Sequence, residues 1–327
     1  MKAWRVNELG DPRDVLALED VDQPVAGPGE VMVRVLAAPA NFPDVLLCQG
    51  KYQIKPQLPF TPGVELCGEV VTVGDGVSRA AVGERVVGTP VLPGGAFAEY
   101  ALMNEANVFA APEALDDAEA AALTIGYQTA WFALHRRTQI ADGDYLLVHA
   151  AAGGVGSAAV QLGKAAGAQV IGVVGGPEKA SYATELGADL VVDRHSEDFV
   201  AAVKEFTGGH GADIVFDPVG GDAYAGSTKC IAFEGRIVVI GFAGGTIPQP
   251  ALNHALIKNY SIVGLHWGLY QTKNPAVIDQ CHTELTRLAD KGLVKPLVGE
   301  RLGLHDVADG VGRLGAGTTV GRAVFVP

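Results

Sequence analysis

Residues 149–160, His-Ala-Ala-Ala-Gly-Gly-Val-Gly-Ser-Ala-Ala-Val, constrain the fold more than any other stretch of this chain. The apolar run 145–148 precedes them, and residues 158–166 follow with a helical composition. A strand that turns into a helix through residues almost without side chains leaves room for a ligand against the backbone. The spacing Ala151-x-Gly153-x-x-Gly156 is a dinucleotide fingerprint with alanine in its first position. Gly153 lets the backbone approach a pyrophosphate, Gly156 lets the helix pack close to the strand, and the helix N-terminus faces the phosphate charge. Ala152, Gly153, Gly154 and Val155 are therefore expected to touch the nucleotide.

The flanking pattern agrees with this reading. Apolar runs at 145–149, 169–174, 190–192, 214–216 and 236–240 alternate with helical stretches, which predicts a parallel sheet covered on both faces. Residues 1–110 have another texture, with short strands expected at 31–36, 69–73, 85–87 and 97–101. Turns such as "PVAGPGE", "VGDGV" and "LPGGA" punctuate them and favour antiparallel strands rolled into a small barrel. Residues 116–138 lack proline and predict a helix with Asp116 or Asp117 as N-cap. A last strand candidate at 260–266 precedes a helix over 275–291.

The second parallel strand ends at Val174, and Gly175 and Gly176 follow it. A carboxylate at that strand end would bond the ribose hydroxyls of NAD. None is present; the two glycines leave space for a 2′-phosphate, and Lys179 and Arg194 supply positive charge. NADPH is thus expected over NADH. The alternative for Lys179 is a solvated helix lysine, and for Arg194 a surface loop arginine.

Lys and Arg number 24 against 37 Asp and Glu, a formal net charge of -13, which disfavours nucleic acid and anionic membranes as partners. No run reaches the ~18 apolar residues of a membrane span, and the start MKAWRVNELG has no apolar signal core, so a cytoplasmic location is expected. Cys48, Cys67, Cys230 and Cys281 are scattered singly, without disulfide or zinc-cluster spacing.

The stretches "NFPDVLLCQGKY", "LPFTPGVELCGEV", "GGAFAEY", "HAAAGGVGSAAVQLGKAAGA", "DIVFDPVGG", "GRIVVIGFAGG" and "NYSIVGLHWGLY" run in family order over nearly the whole chain. They resemble the medium-chain dehydrogenase/reductase superfamily, and within it the zinc-independent quinone oxidoreductase-like branch. The resemblance implies an α/β chain with a GroES-like β-barrel catalytic domain over 1–122 and a Rossmann domain over 123–262. A segment over 263–327 should return to the catalytic domain, with the active site in the cleft between the two domains. It also implies a homodimer, for which the strand near 260–266 offers an edge. Zinc-dependent relatives carry a cysteine at the position of Asn41 and a histidine at that of Val64. Neither replacement supplies the soft or imidazole donor that a catalytic zinc site requires, and no metal is expected.

By the same resemblance, Asn41 and Tyr52 are the catalytic candidates: Asn41 lies near the nicotinamide, where its amide can hydrogen-bond a cofactor or substrate oxygen and so counts as a cofactor contact too, and Tyr52 can donate to a substrate carbonyl. Thr129, Phe242 and Arg322 join the turn residues, Gly175, Lys179 and Arg194 as cofactor contacts, with a surface salt bridge as the alternative for Arg322. Asp44 matches an acidic residue of the same motif, where an ion pair or a turn role is favoured over catalysis. Trp267, Tyr270 and Tyr127 are either pocket-lining or core aromatics. Without a metal Lewis acid, the feasible chemistry is hydride transfer from nicotinamide to an electron-poor small molecule. A quinone is the leading electrophile, and an α,β-unsaturated aldehyde, enone or enoyl thioester the alternative. A different class of function is a structural or regulatory NADPH-binding protein with little turnover.

Overall fold

The computed structural model describes residues 1–327 and divides into two compact units, Met1–Ile125 with His282–Pro327, and Gly126–Cys281. In the first unit, β1 (Lys2–Val6) and β2 (Leu16–Asp20) form an antiparallel pair. Then β3 (Glu30–Pro39), β4 (Leu66–Val73), β5 (Arg85–Pro90) and β6 (Tyr100–Ala110) pair antiparallel in sequence. Because β3 also pairs with β6, the four strands close on themselves as a small barrel without free edges. Proline- and glycine-rich turns prevent helix propagation here, and alternate residues of the strands bury Val33, Val35, Leu66 and Met103 in one core.

In the second unit, β7 (Tyr145–His149), β8 (Gln169–Val174), β9 (Leu190–Asp193), β10 (Ala212–Asp217), β11 (Ile231–Val239) and β12 (Ser261–Gly264) form an all-parallel sheet in the order β12-β11-β10-β7-β8-β9. Leu146, Leu147, Val148, Val215, Phe216, Ile237 and Val238 are fully buried on these strands, which accounts for their continuous apolar runs. The strand order reverses between β7 and β10. In such sheets a crevice opens at that point beyond the carboxyl ends of the strands.

The chain returns to the first unit through β13 (Val298–Gly303) and β14 (Arg322–Val326); β14 pairs with β3, and Phe325 meets Phe97 edge-on at 5.2 Å. The return begins at His282 rather than at residue 263, because residues 263–281 stay with the second unit. Three of their links are internal to it: β12 pairs with β11, the Trp267 indole donates to Gln128 Oε1, and Tyr270 packs on Phe132 at 4.3 Å.

Two further local expectations change. The strand expected at 97–101 begins at Tyr100 instead, because the segment before it is held by β1: Trp4 N donates to Phe97 O, and Ala3 bridges Ala98. The helix expected over 116–138 is three pieces: Asp117–Ala121, Thr124–Trp131 and a π-helical turn, Phe132–Arg137. Asp116 is the N-cap of the first, in a reciprocal capping box with Glu119. The second starts where the remote carboxylate of Glu65 accepts the Ile125 N–H at 2.6 Å, so a tertiary cap breaks a run that contains no proline.

Candidate functional site

Asn41 follows the last residues of β3 and, with extended backbone, forms the N-cap of the helix Phe42–Cys48. Asp44, in the first turn of that helix, accepts from Asn41 N and Gly63 N, both at 2.8 Å. Its turn role is therefore the one observed. Burial pushes its carboxyl up to about 7, against the two backbone donors.

Glu65 is also fully buried. Its Oε1 accepts from Asn41 Nδ2 at 2.9 Å and pairs with the Arg322 guanidinium, and its Oε2 takes the Ile125 N–H. Burial raises this carboxyl too, and Arg322 opposes the shift. Arg322 is only 5% exposed, so its salt bridge is a buried one; the surface pairing weighed from sequence is not what the fold makes. Tyr52 follows the helix and lies half-buried against the barrel core. Burial and the nearby Asp44 raise its phenol above the usual range, which leaves it a hydrogen-bond donor at neutral pH.

The second unit presents a different kind of site. Beyond the carboxyl end of β7, Ala150 adopts φ 52°, and its carbonyl accepts from Gly153 N at 2.8 Å. The helix Gly154–Ala165 starts there without a side-chain cap, leaving first-turn N–H groups for an external acceptor. A Cβ on Gly156 would sit 2.0 Å from the Ala150 carbonyl oxygen, so only glycine permits this approach. Uncapped donors, a helix dipole and the bare backbone fit a dinucleotide pyrophosphate.

At the end of β8, a Cβ on Gly175 would lie 3.1 Å from Arg194 Nε and 3.2 Å from its Nη2, so the guanidinium rests on that glycine. A carboxylate is present here after all, contributed by the neighbouring strand. Asp193 at the end of β9 accepts from Gly176 N at 2.9 Å and His195 N at 3.0 Å, and these donors hold its carboxyl below the usual range. It is engaged with the loop backbone, while Arg194 is exposed and Lys179 half-buried on the helix Pro177–Glu185.

His149 ends β7 beside Asp217, which ends β10 and accepts from Val219 N and Gly220 N at 2.9 Å. The imidazole Nε2 lies 2.8 Å from Ser227 Oγ, whose own proton goes to Ala223 O. Ser227 therefore accepts, and the imidazole carries its proton on Nε2. Burial lowers its pKa to about 4. Phe242, 38% exposed, packs against Gly220, and Thr129 is buried on the helix Thr124–Trp131.

The fold thus joins Asn41 to Arg322 through Glu65, and gathers the turn residues, Gly175 and Arg194 at the ends of β7 and β8. Sequence reasoning missed Glu65, His149, Asp193 and Asp217. For Glu65 the available signal was a single charge in the otherwise apolar "PGVELCG", a placement that requires a buried partner.

Known proteins place this arrangement. A model of the alcohol dehydrogenase GroES-like domain matches residues 27–113, and one of the zinc-binding dehydrogenase domain matches residues 154–283. The chain is 39% identical over 295 residues to quinone oxidoreductase-like protein 2 of Bos taurus, covering 90% of this chain and 84% of that protein. The crystal structure of Escherichia coli quinone oxidoreductase complexed with NADPH superposes with TM-score 0.92 at 30% identity, covering 100% of both chains. The CurK enoyl reductase superposes with TM-score 0.89 at 26% identity, covering 99% of this chain and 98% of that one.

A GroES-like barrel and a Rossmann-like parallel sheet with these relatives define an oxidoreductase of the medium-chain dehydrogenase/reductase class. Within that class the chain belongs to the quinone oxidoreductase-like family.

Proposed function

We propose that this protein is an NADPH-dependent quinone oxidoreductase that works without zinc. The observation that carries the cofactor reading is the uncapped helix N-terminus at Gly153 with Arg194 lying on Gly175 nearby. Ala152, Gly153, Gly154 and Val155 hold the pyrophosphate, and Arg194 with Lys179 takes the 2′-phosphate. Asn41, Thr129, Gly175, Phe242 and Arg322 are the remaining cofactor contacts in this reading. Bound NADPH supplies a hydride; the protein supplies orientation and a donor for the oxygen on which charge develops. Tyr52, half-buried just past the helix that Asn41 caps, is that donor.

The donor set supports the zinc-free reading. No three His, Cys, Asp or Glu side chains gather where they could hold a metal ion. Cys48 and Cys67 are both buried, and the resemblance puts Asn41 and Val64 where zinc-dependent relatives have their cysteine and histidine ligands.

No helix is long and apolar enough to cross a membrane, and we place the protein in the cytoplasm. We also infer a homodimer. Strand β12 is an unpaired sheet edge, and Leu252, Leu256 and Ile257 on the helix Leu252–Lys258 are each at least 75% exposed. Light scattering on the purified protein should give twice the subunit mass.

Stopped-flow mixing of protein, NADPH and a small para-quinone tests the activity: NADPH absorbance should fall much faster than without protein. Reduction of α,β-unsaturated carbonyls is the second reading, supported by the likeness to the CurK enoyl reductase. Competition between a quinone and a 2-alkenal ranks the two. Tight NADPH binding with no accelerated oxidation by either would point instead to a regulatory role.

A further inference from the structure

We infer that Asn41 meets its ligand only as a hydrogen-bond acceptor, and that Glu65 is the positioning residue that imposes this polarity. A primary amide has two N–H donors. In Asn41 both are engaged inside the protein: Nδ2 donates to Pro39 O at 3.2 Å and to Glu65 Oε1 at 2.9 Å. Turning the amide over would set Oδ1 against a carbonyl and a carboxylate, two acceptors, so only one orientation is chemically allowed. What remains for a ligand is Oδ1.

Glu65 is itself fixed from three separated segments: Asn41 after β3, Arg322 on β14, and the Ile125 N–H in the helix Thr124–Trp131. The amide therefore cannot rotate without setting its oxygen against a carboxylate that the other two segments hold in place.

This inference rests on the proposed activity and sharpens it. A quinone offers carbonyl acceptors and no N–H or O–H, so Asn41 has no hydrogen bond to give it. The nicotinamide nucleoside of NADPH carries donors, the carboxamide N–H and the ribose hydroxyls. Asn41 accordingly acts on the cofactor, and stabilisation of charge on the electrophile falls to another donor, the role proposed above for Tyr52.

The full chain and its Asn41→Ala variant are titrated by calorimetry with NADPH and with the reduced acetylpyridine analogue, in which a methyl ketone replaces the carboxamide. Steady-state runs then vary the quinone. Loss of one good acceptor predicts an NADPH Kd raised about 10-fold, with the quinone KM within about twofold of wild type. If the effect vanishes with the analogue, the donor is the carboxamide; if it persists, the donor is a ribose hydroxyl; either result supports the inference. Glu65→Gln should also weaken NADPH, and the double variant should be no weaker than Asn41→Ala alone, which a purely structural role would not produce. Where Asn41→Ala does not fold, Asn41→Ser, which retains an N-cap side chain, replaces it. An unchanged NADPH Kd with a raised quinone KM overturns the inference. Binding is measured without electrophile, so NADPH binding without turnover would sink the proposed activity and leave this inference intact.

Discussion

The two candidate sites solve the problem of holding a ligand in opposite ways. In the barrel unit, the site is made of side chains: Asn41, Glu65, Asp44 and Arg322 are buried and linked through hydrogen bonds and an ion pair. In the sheet unit it is made of backbone, with uncapped N–H groups at the start of Gly154–Ala165 and glycine where a side chain would collide. Burial also shifts their titratable groups in opposite senses, because it penalises charge: Asp44 goes up to about 7 and His149 down to about 4. A side-chain site tolerates no change of polarity, and a backbone site no change of volume.

The largest test of that contrast is Gly156→Val, which places carbon against the Ala150 carbonyl. Calorimetry should show NADPH affinity reduced by about 1000-fold, as several contacts at one helix N-terminus are lost together. Circular dichroism checks that the barrel unit still folds.

Tyr52→Phe asks the opposite of the barrel unit: volume kept, polarity removed. The expected loss is about 100-fold in kcat/KM for the quinone with NADPH affinity unchanged, as for removal of an oxyanion donor. Equal losses in both would show that Tyr52 only packs.

Arg194→Ala should weaken NADPH about 30-fold while leaving NADH within about twofold, since only the former has a 2′-phosphate to lose its charge-assisted bonds. Similar losses for both nucleotides would assign Arg194 to the shape of the loop at Gly175.

The pH dependence separates the units by sign. His149 in the folded chain titrates near 4 against 6.5 when unfolded, so the native state binds fewer protons between these values. Its contribution is complete above about pH 6.5 and is lost as pH falls toward 4. Asp44 titrates near 7 against 3.8, so its contribution is complete at low pH and is lost as pH rises through 7. Between pH 7 and 5 the two oppose each other. His149→Gln, which keeps a donor for Ser227, should remove an acid penalty of about 2 kcal/mol, read by urea unfolding at the two pH values. An identical pH response in variant and wild type would show that His149 is not held neutral.

The same contrast explains what could be read in the chain beforehand. The nucleotide turn was legible because its requirements are local: a strand, small residues at fixed offsets and a helix are consecutive in sequence. Strands β7 and β8 were legible to the residue for the same reason, since strands buried on both faces read as unbroken apolar runs. The Asp193 carboxylate escaped notice because it reaches the Gly175 loop from a neighbouring strand, by parallel pairing of Val174 with Asp193.

Composition, the Ala151-Gly153-Gly156 spacing and the order of motifs determined by themselves that this chain has a barrel half and a nucleotide-binding half, because each rests on periodicity and turn chemistry within a few residues. Tertiary structure alone decided that Glu65 is the hub of the barrel-unit site, which way the Asn41 amide points, and where the helix after Asp116 breaks. Those outcomes depend on donors 24, 60 and 257 positions away in sequence. A buried charge takes whatever partners the fold brings within reach, and no local pattern in the chain encodes that meeting.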